Sequence, residues 1–122
     1  MPNAVIYHNP RCSNSRGALA LLQAHGCTLR IVDYLKSPPA RREIAELLER
    51  YDGSPADFVR FKEAAAVEHG LGPESEVPAI IAAIVASPVL LQRPIVVFGR
   101  QVIIARPPEV LLPLLAPKPG AR

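Results

Sequence analysis

The chain opens on a short apolar run, Ala4-Val5-Ile6-Tyr7-His8, which reads as a buried strand that Asn9-Pro10 ends with a turn signal. From Ser13 to His25 the apolar period lengthens to that of a helix. Ala18, Leu19 and Leu22, with Leu21 at the margin, form its stripe, and Gly26 supplies the left-handed stop. Thr28 to Leu35 returns as a second strand, giving a β-α-β unit that favours a parallel, right-handed crossover. Ser37-Pro38-Pro39 then turns the chain into helices. Ile44, Leu47, Leu48 and Tyr51 share one face of a helix running to about Arg50. Helical patterns continue through Ala56 to Glu68 and Val77 to Val85, divided by Gly70-Leu71-Gly72-Pro73. A strand pair follows, Ile95 to Phe98 and Val102 to Ala105, joined by Gly99-Arg100. Pro107-Pro108 opens a last helix, Glu109 to Leu115, with Glu109 in the first turn, where the helix dipole favours an anion.

The expected class is therefore α/β: a βαβ…ββα mixed sheet with a helical insertion, about residues 38–90, between the second and third strands. All 122 residues suit a single domain, 1–122, with a Pro/Gly-rich tail at 117–122 expected to fray. With no Trp, three Phe and three Tyr, the core must be aliphatic. Fourteen basic residues against 11 acidic ones give a net charge of +3, too mild and too scattered to point to nucleic acid. No run approaches the ~18 apolar residues of a membrane span, and the most apolar stretch, Ile80 to Leu91, is broken by Ser87-Pro88. The start, Met1 to His8, lacks the basic region and long apolar core of a signal peptide. Two cysteines in such a chain point to a reducing, cytoplasmic compartment and to chemistry or packing rather than a disulfide scaffold.

The chemistry concentrates in Tyr7-His8-Asn9-Pro10-Arg11-Cys12-Ser13-Asn14-Ser15-Arg16, which sets Cys12 between the end of a parallel strand and the first turn of a helix. Free backbone N–H groups and the positive helix end stabilise a thiolate there. Arg11 and Arg16 add cationic charge, and Ser15, one turn on, could donate its hydroxyl to the sulfur. An unperturbed thiol of pKa ~8.5 is about 3% ionised at pH 7, and a fall of two units makes it roughly three-quarters thiolate, worth about 2.7 kcal/mol. The bland alternative is a small buried hydrophobe near a helix start. His8 either helps to lower the thiol's pKa or simply ends the strand. Cys27 lies beyond the far end of the same helix, ~20 Å away over about thirteen residues. A disulfide needs Cα atoms within ~7 Å, so Cys27 reads as a small apolar residue. Ser15 stands where a Cys-x-x-Cys motif would have its second thiol. Any redox cycle must borrow an external thiol.

The segment His8 to Arg16 resembles the active-site loop of the glutaredoxin-linked arsenate reductase family, a branch of the thioredoxin fold. Tyr34-Leu35-Lys36-Ser37-Pro38-Pro39 resembles its second-strand exit, Arg93-Pro94-Ile95-Val96-Val97 its "RPIV" strand, and Arg106-Pro107-Pro108-Glu109-Val110 its "RP-x-E" helix start. The resemblance runs from about residue 4 to 115 and implies a thioredoxin-like fold with Cys12 as nucleophile. It implies that Arg60, Arg93 and Arg106 surround the oxyanion and that Pro94 is a cis-proline facing the thiol. Guanidinium forks suit a tetrahedral oxyanion, since they stay charged and bind bidentately. Arg93 and Arg106 each precede a proline, which biases them to extended backbone. Arg60, on a helical stretch, would by default be a solvated surface residue.

The implied reaction is reduction of arsenate to arsenite through a Cys12 adduct, with glutathione and glutaredoxin as reductants. No metal or bound cofactor is expected, the sequence having no His/Cys ligand spacing. The expected state is a monomer without nucleic-acid or membrane partners. The chain departs from the family at Arg60-Phe61-Lys62-Glu63-Ala64-Ala65-Ala66, where alanine replaces the usual aromatic. Ala40 also stands where Ser or Thr could form a capping box with Glu43. Three other readings stay open: a glutathione-dependent thiol exchanger, an RNA polymerase-binding thiol-sensing regulator of the same fold, and an inactive relative.

Overall fold

A computed structural model describes residues 3–115, so the tail expected at 117–122 lies outside the described residues. Strand β1 (Asn3–His8), helix α1 (Ser13–Ala24) and strand β2 (Thr28–Asp33) form the β-α-β unit. Helices α2 (Arg41–Arg50), α3 (Ala64–Glu68) and α4 (Val77–Ala86) follow, then β3 (Ile95–Phe98), β4 (Gln101–Ile104) and a short closing helix, α5 (Leu112–Leu115). The four strands make one mixed sheet in the order β2-β1-β3-β4. β1 runs parallel to β2, with Asn3 opposite Thr28 and His8 opposite Asp33. It runs antiparallel to β3, with Tyr7 opposite Ile95, and β3 pairs antiparallel with β4.

The period-two alternation of β1 divides the core in two. Ala4 and Ile6 face α1, where they meet Ala18 and Leu22 together with Val96, Ala105 and Leu111. Tyr7 faces the opposite way, into the helical insertion, where Ile44, Leu47, Phe58, Ile80 and Ile84 form the larger cluster. Both faces of β1 are buried, which is why its sequence reads as a continuous apolar run. Gly26 takes the left-handed conformation expected at the end of α1, with φ of 72°. Among the described residues no helix is long and apolar enough to cross a membrane.

Two expected helices take a different form. The stretch Ala56 to Glu68 is not continuous: Pro55–Phe58 is a 3-10 turn and Val59 forms an antiparallel bridge with Leu91. The N–H of Arg60 reaches Leu90 O at 2.8 Å, and the N–H of Gln92 reaches Phe58 O at 2.7 Å. Phe58 and Val59 are consecutive and both buried, and the bridge lets both pack while keeping their backbone groups paired. Arg60 therefore sits on extended chain, not on a helix face. The last helix likewise begins as a 3-10 turn, Pro108–Leu111, before α5. Pro113 lacks the N–H that would bond back to Glu109 in a regular α-helix.

Candidate active site

Cys12 is the N-cap of α1, with extended backbone (φ −94°, ψ 124°) and no side-chain cap. Its own N–H bonds Asn9 O at 3.0 Å, and its carbonyl accepts from Arg16 N–H at 3.0 Å. The turn so formed aims the thiol at the unpaired N–H groups of the first helical turn. Burial pushes the Cys12 thiol up, but the backbone N–H of Ser15, the Arg93 guanidinium and the backbone N–H of Asn14 together hold it below its ordinary value.

Two of the three expected arginines, Arg93 before β3 and Arg106 after β4, gather at the sulfur. Arg106 places Nη1 at 3.7 Å from Cys12 Sγ and donates from the same atom to Arg93 O at 2.9 Å. Arg93 Nε is buried and has no hydrogen-bond partner among the described residues. Both arginines precede cis peptide bonds, Arg93-Pro94 as the family resemblance implies and Arg106-Pro107 in addition. Close packing of the second loop on α1 depends on Gly17. A methyl group there would lie 2.9 Å from Pro108 Cγ, so only glycine lets the Arg106-Pro107-Pro108 corner sit against the helix that carries Cys12.

Arg60 stands apart. Its Nη1 pairs with Glu63 Oε1, with the two side chains 18% and 31% exposed, and no bond to the sulfur forms. Arg16 also turns away from the thiol: its guanidinium spans the loop to Pro10 O at 2.9 Å.

His8 and Ser15 form a buried pair beneath the loop. His8 Nδ1 lies 2.6 Å from Ser15 Oγ, and the Asn9 N–H donates to that same oxygen at 3.0 Å. The hydroxyl is thus engaged by His8 and Asn9 and not, as its spacing had suggested, by the sulfur. Ser15 acts on the thiol through its backbone N–H instead. Burial lowers the pKa of His8, with Asp33 opposing and Arg16 reinforcing the shift, so the ring is neutral at pH 7.

The sequence reading missed Asn9 and Tyr34. Asn9 Oδ1 accepts the N–H of Arg11 at 2.9 Å and closes the turn that Asn-Pro signals. Tyr34 is 1% exposed. Burial raises its phenol pKa, while Arg93, Asn9 and Arg60 pull it down and Cys12 pushes it up. A tyrosine ending a strand beside a loop cysteine was the available signal. Cys27, by contrast, packs against the α1-side cluster, and burial pushes its thiol up. Neither cysteine is in a disulfide.

The arrangement can do nucleophilic chemistry on an anion: a thiol held below its ordinary pKa, two guanidiniums within its reach, and a buried, hydrogen-bonded support. The ArsC family model matches residues 7–113. An arsenate reductase of Neisseria meningitidis is 38% identical over 111 residues, covering 89% of this chain and 95% of that protein. An arsenate reductase of Escherichia coli is 34% identical over 116 residues, covering 94% of this chain and 82% of that one. The solved structure of an arsenate reductase from Vibrio cholerae superposes with a TM-score of 0.84 at 36% identity, covering 92% and 97% of the two chains. Thioredoxin-like in fold, with its cysteine loop and both arginine-proline corners in the matched region, this chain belongs to the ArsC family.

Proposed function

We propose that the protein reduces arsenate to arsenite through a covalent adduct on Cys12, with glutathione and glutaredoxin supplying the electrons. One observation carries the reading: the depressed Cys12 thiol faces the helix N-terminus with Arg106 Nη1 3.7 Å from its sulfur. An oxyanion held by Arg93 and Arg106 would present its central atom to that sulfur, and the guanidiniums would offset the repulsion between thiolate and anion. The relatives named arsenate reductase support the choice of oxyanion.

The thiolate attacks arsenic(V), a proton is taken up and water leaves, forming the Cys12 S–As bond. Glutathione adds to the same arsenic with loss of a second water. The glutaredoxin thiolate then attacks the glutathione sulfur, and the S–As electron pair falls to arsenic, reducing it to arsenic(III) and leaving a glutaredoxin–glutathione disulfide. Hydrolysis of the remaining S–As bond releases arsenite and returns the thiolate. Cys27, at the other end of α1, takes no part, so the second and third thiols come from outside the chain. The chemistry fits a cytoplasmic monomer and calls on no metal or bound cofactor.

The test is turnover of arsenate with glutathione, glutaredoxin and an NADPH-coupled recycling system. Cys12→Ser abolishes turnover and Cys27→Ser retains it. Absence of arsenate turnover in the unaltered protein, with ready exchange between Cys12 and glutathione disulfide, would replace this reading with that of a thiol exchange enzyme.

A further inference from the structure

Two surface depressions reach Arg106, the residue beside the Cys12 sulfur. They share Val59, Phe61, Gln92 and Arg106, so they are two lobes of one groove, with Phe61 common to both. The smaller lobe, about 300 Å³, carries Arg60 and Lys62. The larger, about 620 Å³, carries Asp57 and Tyr51. Lys62 is exposed, and Phe61 is 41% exposed despite its size. Asp57 is exposed too, its Oδ2 accepting the Tyr51 hydroxyl at 2.6 Å.

We propose that this two-lobed groove seats the incoming thiol, a zwitterionic cysteinyl peptide of the glutathione class, with a carboxylate on Lys62 and an ammonium on Asp57. The inference rests on the reading of Cys12 as a thiolate that an external thiol must regenerate, and deepens it by naming where that thiol sits. Lys62 lines one lobe and Asp57 the other, while Val59, Phe61, Gln92 and Arg106 line both, and Arg106 reaches from the groove to the Cys12 sulfur. Each lobe falls in the ~300–1,000 Å³ range of small-molecule sites. Phe61 offers an apolar ridge against which the peptide's methylenes pack, removing exposed aromatic surface from water. A neutral thiol of the same reactivity would find none of the charged partners.

The experiment compares rates of Cys12 mixed-disulfide formation, read by mass spectrometry, with glutathione disulfide and with neutral bis(2-hydroxyethyl) disulfide. The unaltered protein prefers the glutathione compound by about ten-fold or more. Lys62→Glu and Asp57→Asn each lower that preference roughly five-fold while leaving the rate with the neutral disulfide in place. Asp57→Asn keeps an oxygen for Tyr51. Arg42→Glu on α2, whose side chain is 92% exposed and outside the groove, controls for overall charge and leaves the preference intact. A preference absent from the unaltered protein, unmoved by Lys62→Glu and Asp57→Asn, or lost equally in Arg42→Glu overturns the proposal. Because this readout needs no arsenate, the two claims separate. Arsenate turnover with no effect of the groove variants removes the seat alone. A groove-dependent preference without arsenate turnover removes the reductase reading alone.

Discussion

His8 Nδ1 and Ser15 Oγ lie 2.6 Å apart in the floor of the cysteine loop, and both side chains are buried. The pair ties the last residue of β1 to the first turn of α1, and the Asn9 N–H closes the third side of the knot. The turn that presents Cys12 is thereby held from below, by groups that never touch the sulfur.

Ser15→Ala should therefore act on stability and on the thiol together. It leaves His8 Nδ1 and the Asn9 N–H without their common partner, at a cost of about 1–3 kcal/mol, measurable by urea denaturation. Loosening the turn also weakens the N–H contacts to sulfur, so the pH profile of Cys12 alkylation shifts upward. Unchanged stability and an unchanged profile would show that the pair supports nothing.

The pH dependence of stability follows from two depressed groups. For Cys12 the folded pKa is below the unfolded value of about 8.5. The unfolded chain then holds more protons between the two values, so this contribution is complete above pH ~8.5 and is lost as pH falls through the folded pKa. The same sign holds for neutral, buried His8: its contribution is complete above pH ~6.5 and fades as pH falls through its lower folded value. Thermal unfolding should show stability rising with pH in both windows, with Cys12→Ser removing only the alkaline one. A flat alkaline window in the unaltered protein would contradict the depressed thiol.

At the anion site, Arg106→Lys keeps a charge but loses the Nη1 group that bonds Arg93 O and reaches the sulfur. Loss of a charge-assisted contact worth about 1.5–3 kcal/mol corresponds to a roughly ten- to hundred-fold fall in kcat/KM for arsenate. Glu63→Gln should act in the opposite direction. Freeing Arg60 from its carboxylate, a pairing worth about 1 kcal/mol, lowers the KM for arsenate roughly five-fold if Arg60 turns to the oxyanion. A KM that Glu63→Gln leaves unmoved would place Arg60 outside the site. Steady-state kinetics with fixed glutathione checks both.

Ala40 caps α2 with extended backbone and no side-chain bond, and Glu43 stands three residues on. Ala40→Ser should supply the missing cap and raise stability by about 0.5–2 kcal/mol without altering kinetics. Calorimetry detects the change. The Tyr7 hydroxyl donates to Glu43, however, so a smaller gain would mean that this carboxylate stays with Tyr7 and leaves the box half formed.

What was legible in the chain follows the range of the forces involved. The strands, α1 with its Gly26 stop, and the cysteine at a helix start depend on neighbours within a few positions, so periodicity and turn residues expose them. The Val59–Leu91 bridge could not be read that way, because it depends on a partner more than thirty positions away. That bridge took Arg60 off its expected helix. Among the arginines, sequence could name candidates but not their targets. Arg106 and Cys12 are 94 positions apart, and the sheet order together with the packing of Pro108 on Gly17 brings them together. Local propensity determined that Cys12 would cap a helix. The three-dimensional packing decided that Arg93 and Arg106 attend its sulfur, that Arg60 holds Glu63 and Arg16 the loop carbonyl, and that Ser15 gives its hydroxyl to His8. A long flexible side chain has many reachable partners, and only the assembled surroundings choose among them.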